Sequence, residues 1–130
     1  MRKIGMFLLV AAILLASGYS RRSSESAEQF PDPLIADPEH WRLEFENERV
    51  RVTRTKVGPR EVERMHQHSL PAVVVYFTDQ DIQRTLPDGT TAKVHINAGV
   101  RWVEPNAHRV ENLADKPFEL IRIDLKPLAR

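Results

Sequence analysis

The chain has 130 residues, no cysteine and a formal net charge of +1 from 19 basic and 18 acidic side chains, enough for one compact domain with a modest core. Without cysteine there can be no disulfide, no thiolate metal site and no thiol nucleophile. The near-balanced charge, with no cluster of Lys and Arg, gives no footing for a nucleic-acid surface.

The first segment stands apart. Arg2 and Lys3 precede an uncharged, almost wholly apolar run over residues 4–16, and the small residues Ala16, Ser17 and Gly18 follow. This is the pattern of a secretory signal peptide over residues 1–20, with cleavage after Gly18 or Ser20, and it places the mature protein in the periplasm or outside the cell. The run is shorter than the roughly 20 apolar residues that span a bilayer. An uncleaved anchor flanked by Arg21 and Arg22 is the alternative, and the one route to a membrane partner. With Arg2 and Lys3 taken from the 19 basic residues, 17 remain against 18 acidic ones.

Residues 21–38 are polar and carry Pro31, Pro33 and Pro38, which reads as a linker or extended arm. From about residue 39 short β-type runs take over, and residues 39–130 form the expected domain. Residues 41–45 alternate apolar and polar, Asn47-Glu48 offers a turn, and 49–57 alternate again. Gly58-Pro59 breaks the chain before a run over 62–68. Residues 72–78 are apolar on both faces, as in a central strand. Pro87-Asp88-Gly89 is a turn between runs at 82–86 and 91–97. Ala98-Gly99 precedes 100–103, Pro105-Asn106-Ala107 makes another turn, and 109–112 resumes. The last run, 118–125, shifts its alternation between Leu120 and Ile121, and a bulge there accounts for it. Short strands at regular spacing, with no long helix, predict an all-β sandwich or barrel, best a jelly roll.

His66-Gln67-His68 carries the chemistry. Residues two apart on a strand share a face, so both imidazoles project together, and neutral imidazole is the commonest side-chain metal ligand. Such a pair also occurs on solvent-facing strands. A second element follows later, where Gly99, a strand, Pro105, His108 and Asn112 run in order. Together these motifs resemble the cupin superfamily, small jelly-roll barrels whose first motif holds His-x-His and then Glu. Its second motif runs Gly-x5-Pro through His-x3-Asn.

Gly99 to Pro105 and His108 to Asn112 keep the family's spacings. Gly58 stands eight residues before His66 rather than six, and the turn before His108 is two residues short. The family's glutamate is missing, for Ala72 and Val73 stand in its place. The resemblance is closest to small single-domain cupins lacking that glutamate, and it covers most of residues 40–126. It implies a three-histidine site of His66, His68 and His108 holding a divalent transition metal, Fe, Zn, Cu, Ni or Mn, since imidazole alone does not choose. Three histidines with an open position are a known zinc arrangement, and three-histidine cupins resemble iron oxygenases. A small polar or anionic molecule is then the expected ligand or substrate. The expected function is either a metal-dependent oxygenase or a non-catalytic binding module of the cell envelope. Homodimers are common among cupins.

Other residues bear on the pocket. On strand parity Glu61 and Glu63 point away from His66 and His68, and Glu104 is the acid placed to approach from the next strand. Arg64 is in phase with the histidine pair and could meet a substrate carboxylate, or lie exposed at the start of its strand. Asn112 either supports His108 or ties backbone near the barrel mouth. His95 is expected at the rim and His40 at the surface, while Trp102 and Tyr76 are expected in the core.

Overall fold

The computed structural model describes residues 30–129; the segment read as a signal peptide lies outside them. A short helix, α1 (Pro33–Ala36), precedes nine strands: β1 (Trp41–Glu46), β2 (Val50–Val57), β3 (His66–His68), β4 (Ala72–Tyr76), β5 (Gln80–Thr85), β6 (Thr91–Ile96), β7 (Gly99–Val103), β8 (Asn106–Asn112) and β9 (Phe118–Leu125). They form a five-stranded sheet in the order β1-β2-β9-β4-β7 and a four-stranded sheet in the order β3-β8-β5-β6. Every ladder is antiparallel. Among the described residues no helix is long and apolar enough to cross a membrane.

Alternation along the strands builds the interior. Thr53, Thr55 and Val57 of β2 point inward, as do Ala72 and Val74 of β4. As expected of a doubly apolar run, β4 lies inside its sheet, between β9 and β7. Two apolar clusters result. Val57, Ile82, Ile96, Val110 and Phe118 fill one, Trp41, Ala72, Val74 and Leu120 the other, and Tyr76 packs against both. Gly89 takes φ 87° in the Pro87-Asp88-Gly89 turn, a backbone that glycine adopts without steric cost.

The structure corrects two readings of the strands. β9 has no bulge: its residues alternate buried and half-buried without a break, so Arg122 and Asp124 point inward behind Phe118 and Leu120. Polar residues mimic a phase shift when the barrel interior is itself charged. The one irregularity in the five-stranded sheet lies in β1, between Leu43 and Phe45. The run at 62–68 is a strand only at His66–His68; before it, Val62 makes a lone bridge to Glu111.

The described part of the proline-rich arm, residues 30–38, lies against the barrel. Gln67 donates its N–H to the Pro31 carbonyl, and its side-chain oxygen accepts from the Phe30 N–H. Asp32 caps α1 by accepting from Leu34 N–H at 3.0 Å, and Pro33 opens the helix, where its missing N–H costs nothing. Asp32 also pairs with Arg51, Arg51 with Asp124, and Asp124 with Arg122. This chain of alternating charges runs from the arm into the barrel, so each buried charge has an opposite neighbour.

His40 is a second tie, and it is less exposed than a surface reading implies. Its Nδ1 meets Asp37 at 2.8 Å and its Nε2 meets Glu61 at 3.0 Å. Burial works against its charge, but the two carboxylate hydrogen bonds raise its pKa above 6.5. A raised folded pKa gives stability that is present below the unfolded pKa and lost as pH rises through the folded value. His40→Gln is therefore expected to lower the denaturation midpoint more at pH 5.5 than at pH 8.5. An equal loss at both would show that the charge contributes nothing.

Candidate metal centre

β3 pairs with β8 in a register that sets His66 directly opposite His108, with Gln67 against Ala107 and His68 against Asn106. His66 and His68 share one face of β3 and are buried. Their ligand atoms and that of His108 all lie within 4.8 Å of one another. The three rings stand edge to face, with centroids 4.7 Å apart for His66–His68, 4.9 Å for His66–His108 and 5.3 Å for His68–His108. The shortened proline turn thus delivers His108 to the pair.

Tautomer and protonation suit a cation. His66 Nδ1 lies 2.7 Å from the Arg64 carbonyl oxygen, which can only accept, so Nδ1 carries the proton and Nε2 keeps its lone pair. That Nε2 stands 3.0 Å from His68 Nε2. Two nitrogens bound side by side at about 2.1 Å to one ion stand roughly 3 Å apart, so the pair fits a shared metal. Burial lowers the pKa of all three rings, that of His68 well below 6.5 and that of His108 to about 3. Neighbouring Arg122 acts in the same direction on each. Neutral imidazoles are the form that ligates.

A cavity of about 330 Å³ opens beside the cluster, with His68 and His108 in its wall. His66 lies behind them, fully buried. Trp41 closes one side, its ring centroid 5.6 Å from that of His66 and 5.4 Å from that of His68. Much of the remaining wall is apolar, from Val74, Ile82, Val110 and Leu120 among others.

Of the three carboxylates, Glu63 is not where strand parity puts it. Ala72, which stands in the sequence at the place of the family's glutamate, is fully buried on β4. Glu63, expected to point away, is buried and lines the cavity, with Thr55 Oγ1 donating to it at 3.1 Å. The chain between Val62 and Met65 is not a strand, so parity counted back from His66 fails there. Burial raises the Glu63 pKa to about 7. Glu61 is exposed and accepts from the Gly58 N–H and from His40. Glu104 reaches the cavity mouth, but its carboxylate accepts from the Trp102 indole N–H at 2.5 Å.

Arg64 does not enter the cavity. Its side chain is 63% exposed and reaches Glu39 and the Ala36 carbonyl. Trp102, expected in the core, is 54% exposed, whereas Tyr76 is half-buried and part of the wall. His95 is exposed as expected, bonded to Asp81 and Asn97. Asn112 ties backbone: its amide donates toward the Val57, Gly58 and Lys116 carbonyls and its oxygen accepts from Ala114 N–H.

Arg84, Arg122 and Trp41 also line the cavity and escape the sequence reading. Arg84 stands two residues from Ile82 on one face of β5, and unbroken alternation through β9 places Arg122 inside. Both signals are present but weak, because an arginine on a strand normally marks the outer face.

A two-sheet jelly roll that sets a His-x-His strand against a third histidine is a small β-barrel with a candidate metal site. Comparison with solved structures agrees on the fold. A cupin domain from Bordetella pertussis Tohama I superposes with a TM-score of 0.58 at 28% identity, covering 67% of this chain and 92% of that one. A conserved protein with a double-stranded β-helix domain from Klebsiella pneumoniae superposes at 0.52 with 13% identity, over 68% and 76%. No family model and no curated protein matches. The chain belongs to the cupin superfamily.

Proposed function

We propose that this protein is an exported cupin that holds one divalent transition metal on His66, His68 and His108 and acts on a small anionic molecule as an oxygenase. The observation that carries the metal is the convergence of the three ligand atoms within 4.8 Å, together with the His66 Nδ1 bond to the Arg64 carbonyl. A bound ion supplies a Lewis acid and an anchoring point for an anionic oxygen. The chain's own residues do the rest. Trp41 and the apolar wall exclude water, Arg64 orients His66 through its backbone, and the cavity beside His68 and His108 leaves room for a molecule of modest size.

A second reading is a non-catalytic binding module. It is favoured by the cavity carboxylates, since Glu63 is bonded to Thr55 and Glu104 to Trp102. Neither belongs to the histidine cluster, and acid–base chemistry needs a titratable group positioned at the reacting atoms.

The test is elemental analysis of protein purified without a metal-affinity tag, beside His66→Ala and His108→Ala. One ion per chain in the wild type, with at least about a hundredfold lower affinity in each variant, is expected; loss of a ligand should exceed the roughly 10–100-fold effect of losing an outer partner. Scattered content well below one per chain in the wild type would sink the site. Oxygen uptake with a bound carboxylate supports the oxygenase, and tight binding without consumption supports the module. Fractionation of cells expressing the full chain tests export.

A further inference from the structure

We infer that Arg84 anchors the carboxylate of the molecule that enters the cavity, making β5 the recognition strand beside the histidine cluster. This rests on the cavity's being a ligand site, as proposed above, but not on a metal being bound. Gln80, Ile82 and Arg84 occupy alternate positions on β5 and all line the cavity. Arg84 pairs in register with Val110, and His108 lies two residues away on the same face of β8. The guanidinium is therefore one diagonal step from a metal-site histidine, within reach of a long side chain.

Its charge has no protein partner. Among the described residues Arg84 forms no ion pair, and its Nε is buried without a hydrogen bond. The other cavity arginine differs: Arg122 is held by Asp124 at 2.7 Å and by the Leu70 carbonyl at 2.8 Å. A buried, unpaired donor on a cation is costly, and one retained in a native structure calls for a partner from outside the chain or a functional reason. Deeper on the same face, Gln80 is 3% exposed and its amide Nε2 also lacks a partner. A planar fork suits a carboxylate held by two parallel N–H bonds. The apolar wall selects a ligand with one such charge on a hydrocarbon body. The cavity's own acids are engaged elsewhere, Glu63 with Thr55 and Glu104 with Trp102.

Benzoate and its uncharged isostere benzamide are the probes, titrated by calorimetry into the protein as purified and again after removal of metal with a chelator. Benzoate is expected to bind at least about tenfold more tightly than benzamide in both states. Arg84→Gln is expected to remove that preference and Arg84→Lys to keep part of it, with metal content in both equal to wild type. Equal affinity for the two probes in the wild type overturns the assignment, as does an Arg84→Gln protein that keeps the preference, or no benzoate binding at millimolar concentration. The probe contrast in the wild type decides even if a variant fails to fold. A preference that persists in protein binding no metal would separate this site from the metal reading, and metal binding without the preference would do the converse.

Discussion

Alanine at Asn112 is expected to cost about 3 kcal/mol of folding stability, although the side chain touches neither the histidine cluster nor the cavity. Asn112 is 1% exposed at the end of β8. Its amide nitrogen lies 3.2 Å from the Val57 carbonyl, 3.0 Å from that of Gly58 and 2.8 Å from that of Lys116. Its oxygen accepts from Ala114 N–H at 3.0 Å. One side chain therefore closes the connection after β2 onto the loop that precedes β9. Truncation leaves several backbone groups in a confined space without partners, each costing about 1–3 kcal/mol unless water enters. Urea denaturation reads the loss directly. Metal content of the folded fraction should not change, because Asn112 holds backbone rather than His108. A loss under 1 kcal/mol would mean that the loops are held elsewhere.

Glutamine at Glu63 is expected to stabilise the protein, and only at high pH. The folded carboxyl keeps its proton to about pH 7, because burial disfavours the anion, whereas the reference carboxyl releases it near 4.5. Between these values the folded state binds more protons than the unfolded one, so stability falls as pH rises, and above 7 the whole penalty is present. At 1.36 kcal/mol per unit the penalty is on the order of 3 kcal/mol. Glu63→Gln can still accept from Thr55 and carries no charge at any pH. Measured on metal-free protein, its stability should match wild type near pH 4.5 and exceed it by up to about 3 kcal/mol at pH 8.5. A constant difference across pH would mean that Glu63 is already ionised in the folded state.

These residues also show what could be read in advance. The His66–His68 face follows from strand periodicity, and His108 from the glycine, proline and asparagine around it. The pairing of His66 with His108 is what a jelly roll does with such strands. Glu63 was not legible because chain parity holds only within a strand, and β3 begins at His66. Arg122 and Arg84 were hidden by the assumption that polar means outward. In β9 that assumption demands a bulge, whereas the strand runs straight and sends Arg122 and Asp124 inward as a pair. Residues 30–38 read as a linker because three prolines preclude a long element. One proline suffices to start a four-residue helix, and Asp32 both caps it and joins the buried charge chain. The apolar half of the barrel is written in its sequence, while the charged half is set by partners distant along the chain.

The central claim is that His66, His68 and His108 ligate one ion together. Its most direct test is pulsed electron paramagnetic resonance on protein loaded with one equivalent of Cu(II), counting the imidazole nitrogens coupled to the ion. Three coupled imidazoles in the wild type, and two in a His108→Ala variant that still binds, are expected. One imidazole in the wild type, or a count unchanged by His108→Ala, would contradict the account.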